Sequence, residues 1–147
     1  MLTISPPEAV AEKLRPLLLH LNRNLRREAL PTGVTVGQVA LLAAIREEPG
    51  IGMRELATRE RMSAPAMSGY VDRLEAAGLV VRGPVEGDRR RVGLHLTDPA
   101  RRLLRSTRRM RTAWLADRMR RLNDDQIAAL EAALEPLTML VRDERPA

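Results

Sequence analysis

Met62-Ser63-Ala64-Pro65-Ala66-Met67-Ser68-Gly69-Tyr70-Val71-Asp72-Arg73-Leu74-Glu75-Ala76-Ala77-Gly78-Leu79-Val80-Val81-Arg82, followed after four residues by Gly87-Asp88-Arg89-Arg90-Arg91-Val92-Gly93-Leu94-His95-Leu96-Thr97, is the stretch from which the fold is read. Ser63 is a helix-capping residue, and Pro65 sits in the first turn behind it, where its missing N–H costs nothing. Met67, Val71 and Leu74 recur at helical spacing with Tyr70 beside them, so this helix has one apolar face. Gly78 stands just past its end, where a left-handed residue closes a helix. Leu79–Arg82 and Val92–Thr97 then read as two strands, the second setting Val92, Leu94 and Leu96 against Gly93, His95 and Thr97. Gly83–Arg91 reads as a turn-rich, basic hairpin loop between them. Upstream, Met53–Arg61 reads as a short helix with Leu56 and Ala57 inward, joined to the next by the tight Met62-Ser63 connection. Two helices of about eight and fourteen residues, a short joint, a glycine and a two-stranded hairpin make a winged helix-turn-helix, whose second helix fits a DNA major groove.

Working outward, Thr35 to Gln38 is a capping box, and it opens a helix to about Glu48 that is apolar nearly all round (Val39, Leu41, Leu42, Ala43, Ala44, Ile45). Such a helix is normally buried. Ser5 followed by Pro6 predicts a first helix over about Pro6–Glu28, with Val10, Leu14, Leu17, Leu18, Leu21 and Leu25 at helical spacing. Pro16 is expected to kink or split it. Thr97 caps a long helix with Asp98 and Pro99 in its first turn, carrying Leu103, Thr107, Met110, Trp114, Leu115 and Met119. Asn123 to Gln126 is a second capping box, opening a last helix with Ile127, Leu130, Leu134, Leu137, Leu140 and an internal Pro136. The expected fold is mainly α with a small β-hairpin wing, a winged helix-turn-helix between N- and C-terminal helices. The leucine stripes of those end helices fit no large core in so small a lobe, so pairing with a second copy is their natural burial.

The chain has 147 residues, 44% apolar and 30% charged, which suits one soluble globular domain with a core of its own. It contains no cysteine, which excludes disulfides, thiolate metal sites and thiol redox switching. No apolar run approaches a membrane span, and Met1–Pro7 shows no basic cluster before an apolar stretch, so no membrane partner and a cytoplasmic location are expected. The net charge is +6, and Lys13 is the only lysine. Codon bias accounts for arginine over lysine but not for its placement. Leu79–Arg121 holds thirteen arginines against Glu86, Asp88, Asp98 and Asp117, a surplus of nine, so the remainder is slightly acidic. A segment that faces a polyanion is the simplest cause of that skew.

With these residues in place, the chain resembles the MarR family of transcriptional regulators. The resemblance rests on Asp72-Arg73-Leu74-Glu75 with Gly78-Leu79-Val80, and on the wing pattern Asp88-x-Arg90 with Leu96-Thr97, and it extends over essentially the whole chain. It implies a single domain over 1–147, with about 35–97 as the DNA-binding lobe and about 6–30 and 98–143 as dimerisation helices. It implies a homodimer on a pseudo-palindromic double-stranded DNA operator, usually repressing, and often released by a small phenolic or lipophilic effector bound between the dimer helices and the lobes. Arg90 corresponds to the family's minor-groove wing arginine and Asp88 to its orienting carboxylate, with Arg89 beside them; the alternative is a solvated charged turn. Ser63, Ala64, Ala66, Ser68 and Gly69 are expected to face the major groove. Where this chain has Gly69, many relatives carry a long polar residue, so phosphate contacts and DNA shape carry more of the recognition. Arg73 is placed either to reach DNA or to pair with Asp72 or Glu75. Arg54 is placed either to meet a phosphate or simply to be exposed. His20 and Arg23 lie near the expected effector pocket, though His20 reads as a partly buried or interface histidine before a ligand group. His95 falls on the outer strand face.

No glycine-rich phosphate loop, histidine cluster or Ser/His/Asp spacing is present, so no catalytic residue, metal ligand or cofactor is expected, and the chain does not read as an enzyme. A non-specific architectural DNA binder is the alternative that the small readout residues leave open. A winged helix used only for protein contacts fits poorly with a basic wing.

Overall fold

Burial follows the apolar residues of the central helices, and the elements assemble around them. The computed structural model describes residues 4–142. In chain order it contains α1 (Pro7–Glu28), α2 (Val36–Glu47), α3 (Met53–Arg59), α4 (Ala64–Ala76), β1 (Val80–Val85), β2 (Asp88–Leu96), α5 (Asp98–Met119) and α6 (Asp124–Val141). The chain divides into two compact units, Met1–Arg111 and Thr112–Ala147, with the boundary inside α5.

In the first unit, α2 is the centre. Val39, Leu41, Leu42, Ala44 and Ile45 are all buried, as its unbroken apolar surface demands. Its first turn is closed by the reciprocal box that the sequence announces: Gln38 N donates to Thr35 Oγ1 at 3.1 Å and Thr35 N to Gln38 Oε1 at 3.0 Å. Leu56 and Ala57 of α3, Met67, Val71 and Leu74 of α4, Val80 of β1, Leu94 and Leu96 of β2, and Ala100 and Leu104 of α5 complete the core.

α3 ends earlier than expected, at Arg59, because Arg61 adopts a left-handed backbone (φ 54°). Arg61 N then donates to Thr58 O at 3.2 Å and Met62 N to Ala57 O at 2.8 Å, so the helix's last carbonyls are satisfied by the turn itself. The same closure ends α4, where Gly78 (φ 73°) sends its N–H to Glu75 O and Leu79 N bonds Leu74 O, each at 2.9 Å. Only the glycine was legible as a stop.

The wing is longer and its loop shorter than the sequence suggests. β1 and β2 pair antiparallel from Val80↔Leu96 to Pro84↔Val92 and again at Val85↔Asp88, leaving only Glu86-Gly87 as the turn, with Gly87 at φ 84°. The register breaks between Pro84 and Val85, so Arg89-Arg90-Arg91 form a bulge in β2 with no partners on β1. Val92 is exposed rather than inward, since the core-facing alternation holds only at Leu94 and Leu96. The root of the wing is tied to the α2–α3 loop: Gly50 N donates to Leu94 O and Leu94 N to Ile51 O, both at 2.9 Å.

α1 runs unbroken through Pro16, which lacks an N–H for the Glu12 carbonyl. Glu12 is exposed, and the helix is not split there. The N-cap is Pro6 rather than Ser5, and it makes no side-chain capping bond. α1 buries no residue, and Leu17, Leu18, Leu19 and Leu21 are exposed along it. In α5, Thr97 caps as expected (Ala100 N to Thr97 Oγ1, 3.3 Å), and Ala100, Leu104 and Thr107 face the core.

The second unit contains the last turns of α5 and α6. The Arg118 guanidinium stacks on Trp114, 3.4 Å from the ring centroid. Asn123 and Gln126 form the expected capping box at 2.9 and 3.0 Å. α6 passes through Pro136 unbroken and buries no residue, leaving Leu130, Leu134 and Leu140 exposed. Among the described residues, no helix is long and apolar enough to cross a membrane.

Candidate nucleic-acid interface

The sequence places functional residues on α3, α4 and the wing. α4 begins at an extended Ser63 whose Oγ accepts the Ala66 N–H at 3.3 Å. Met67, Val71 and Leu74 fix the helix by burial, and this turns Ser63, Ala64 and Ala66 out to solvent, with Ser68 and Gly69 half-exposed behind them. Arg54, second residue of α3, is exposed and makes no ion pair among the described residues.

At the wing, the bulge separates three consecutive arginines. Asp88 Oδ1 accepts the Arg90 N–H at 3.1 Å, an Asx-type bond that shapes the backbone of the bulge. Arg91 donates to Glu55 Oε1 of α3 at 2.8 Å. Arg89 and Arg90 are exposed and make no ion pair among the described residues, so their guanidiniums are available to an outside anion.

Arg73 takes a different place from either ion pair that its spacing suggested. Its Nε donates to Gly69 O at 3.3 Å, and its guanidinium lies over Tyr70, 4.7 Å from the ring centroid. Asp72 and Glu75 are both taken by Arg82 of β1; the Arg82–Asp72 contact is 2.9 Å. Arg82 was not singled out in the sequence, yet it joins α4 to the stem of the wing. Its only sequence signal is a lone arginine closing an apolar strand beside two upstream carboxylates. Arg59 likewise pairs with Glu47 and Glu48, linking α3 to the end of α2.

The two residues expected near an effector are not brought into one cavity. Arg23 lines an open concavity of about 340 Å³ with Leu19, Asn22, Arg26, Arg27 and Val36. His20 is exposed and its Nε2 lies 3.3 Å from Asn24 Nδ2. Arg111 of α5 was also missed: its Nε is buried without a hydrogen-bond partner among the described residues, and burial, then the charge of Arg26, lowers its pKa. His95 lies half-buried over Gly50 and Gly83, its Nε2 3.1 Å from Pro84 O, a packing role at the root of the wing. Among the described residues, no group of three or more His, Cys, Asp or Glu is placed to hold a metal.

Comparison with known proteins agrees with this geometry. A model of the MarR family matches residues 32–91, from the residues before α2 through the wing bulge. An HTH-type transcriptional regulator of Mycobacterium tuberculosis is 31% identical over 137 residues, covering 93% of this chain and 95% of its own. The crystal structure of a transcriptional regulator from Pseudomonas aeruginosa is 34% identical, with a TM-score of 0.73, over 90% of this chain and 94% of that one. Wild-type MarR of Escherichia coli in its apo form is 26% identical, with a TM-score of 0.63, over 91% and 98%.

Proposed function

The chain belongs to the MarR family of DNA-binding transcriptional regulators, and from that premise we propose that it acts as a homodimer on a pseudo-palindromic operator and represses by occupying promoter DNA. The observation that carries this reading is the combination of an α4 whose first turn is exposed with a wing whose Arg89 and Arg90 make no ion pair among the described residues. Ser63, Ala64, Ala66, Ser68 and Gly69 enter the major groove. Arg90 enters the adjacent minor groove with its backbone set by Asp88, while Arg89, Arg54 and Arg73 meet phosphates. The protein works in the cytoplasm as a single functional domain, without catalysis.

Dimerisation is supported by α1 and α6, which together bury no residue within the chain while exposing Leu17, Leu18, Leu21, Leu130 and Leu134. A two-fold dimer sets two recognition helices about one DNA turn apart. A small phenolic or lipophilic effector releases the DNA. It uses the concavity at Arg23, where Leu19 and Val36 give apolar walls and Arg26 and Arg27 give donors.

The test is binding to the DNA upstream of the protein's own gene, against random competitor and over a range of salt, with the mass in solution measured by light scattering. Tight binding that survives competitor, falls steeply with salt and comes from a particle of dimer mass supports the reading. Binding that competitor abolishes for every fragment returns the chain to the architectural class. A monomer mass removes the pairing of the end helices.

A further inference from the structure

Most MarR-like readout is expected from polar side chains, but apart from Ser68 those near the base-facing turns of α4 already have partners within the chain. Asp72 and Glu75 are held by Arg82. Arg73 is exposed but braced on Gly69 O and Tyr70, placed for a phosphate rather than a base edge. Ser63 Oγ already accepts the N–H of Ala66. The first two turns therefore offer the outside the methyl and methylene groups of Ala64, Pro65 and Ala66, all exposed, with Ser68 and Gly69 behind them. In the major groove, bases differ by their donors, their acceptors and one apolar group, the thymine 5-methyl. Side chains without donors or acceptors can favour only that group, and a serine hydroxyl bonds to either kind of base edge.

Gly69 adds an independent observation. A glycine within a helix is a poorer choice than alanine. A Cβ at position 69 would meet no protein atom within 4 Å, so nothing inside the chain excludes one. The flush surface it leaves faces the same side as Ala66 and lets the helix seat closely against a neighbouring molecule.

We infer that the recognition helix selects thymine-bearing base pairs by apolar contact of Ala64, Pro65 and Ala66 with thymine 5-methyl groups, at a close approach that Gly69 permits. This rests on the operator reading above and names what that operator must contain. The experiment selects duplexes from a random pool with the full-length protein, then replaces each thymine of the enriched site by deoxyuridine, which removes the methyl and nothing else. Affinity is expected to fall about fourfold per methyl withdrawn at the positions beneath α4, the amount that one buried methyl-sized group carries, and to stay unchanged elsewhere. Ala66→Gly is expected to erase the thymine–uridine difference at one position whatever it does to overall affinity, a ratio that a mere folding defect does not move. Ala64→Gly serves the same purpose if Ala66→Gly does not fold. An enriched site that tolerates deoxyuridine at every position overturns this inference and leaves the operator reading standing. A pool that yields no enriched site overturns the operator reading, and this inference with it.

Discussion

Gly93→Ala is the substitution that most directly tests how the wing is rooted. Gly93 pairs with Gly83 in the hairpin, and the α2–α3 loop crosses directly over it. A Cβ there would stand 2.1 Å from Gly50 O, 2.5 Å from Gly50 C and 2.7 Å from Gly50 Cα, all backbone atoms that no rotamer change can clear. Ordinary carbon contacts lie near 3.5–4.0 Å, so the loop has to retreat by roughly 1 Å or more. That movement opens the bridge made by Gly50 N–Leu94 O and Leu94 N–Ile51 O, each at 2.9 Å. Leu94 and Ile51 are each only 2% exposed, so water cannot replace those bonds. Leaving a buried polar group unmatched costs about 1–3 kcal/mol, and forcing atoms into a filled site about 1–3 kcal/mol more. The expected loss is roughly 2–6 kcal/mol, a large part of the 5–15 kcal/mol that typically holds a domain together. At about 2–4 °C per kcal/mol for a chain of this size, the melting temperature falls by roughly 4–24 °C. The assay is thermal unfolding followed by circular dichroism, with Gly69→Ala measured in parallel as the same chemical change at an open site. If Gly93→Ala melts within about 2 °C of the parent, the crossing of loop and wing described here is wrong.

Gly69→Ala is expected to raise stability by about 0.5–1 kcal/mol, because alanine is the better helix former and the site is open; it should weaken DNA binding at the same time, and a variant that binds DNA more tightly would contradict the close approach. Arg90→Ala is expected to reduce operator affinity at least about tenfold, in line with loss of a charge-assisted contact, while its melting temperature stays put, because its side chain makes no ion pair among the described residues; unchanged affinity in gel-shift titration would remove the wing assignment. Arg82→Ala should cost under about 1 kcal/mol of stability, since its carboxylate partners are exposed, yet it should weaken DNA binding by freeing two negative charges on the recognition helix. Restoration of binding by adding Asp72→Asn and Glu75→Gln is the outcome that identifies charge as the cause; a failure of that rescue would place the defect in helix position instead.

Legibility in the sequence tracked locality. Thr35 with Gln38, and Asn123 with Gln126, are bonds across three residues, and both stand as the sequence spelled them. The stripe Met67, Val71, Leu74 is one face of one helix, and it is buried throughout. The failures share a different cause. Arg61 ends α3 in a conformation that arginine rarely adopts, so its residue type gave no signal. Gly83–Arg91 reads as loop because Gly, Pro and a charge run punctuate it. The ladder nevertheless extends to Val85 and Asp88, because cross-strand pairing tolerates Pro84 at an edge and expels the arginines as a bulge. Pro16 and Pro136 threatened their helices by composition alone, yet both helices continue through them.

The candidate site shows the same division, and it bears on how strongly the protein should respond to salt. Thirteen arginines between Leu79 and Arg121 suggest an intensely cationic DNA-binding surface. The structure spends several of them internally: Arg82 on Asp72 and Glu75, Arg91 on Glu55, Arg101 on Asp98, Arg120 on Asp117. The Arg91–Glu55 pair joins positions 36 residues apart, beyond any local pattern. Of three consecutive wing arginines, only Arg89 and Arg90 remain to meet DNA, joined by Arg54 and by Arg73 on its Tyr70 platform. Three or four cations per protomer, doubled in a dimer, neutralise about six to eight phosphates, so log affinity against log salt should have a slope of roughly −5 to −7. A slope of about −3 would mean that one protomer alone engages the backbone. A slope steeper than about −12 would mean that the internally paired arginines leave their carboxylates on binding, and that the ion pairs described here are a resting arrangement which DNA replaces.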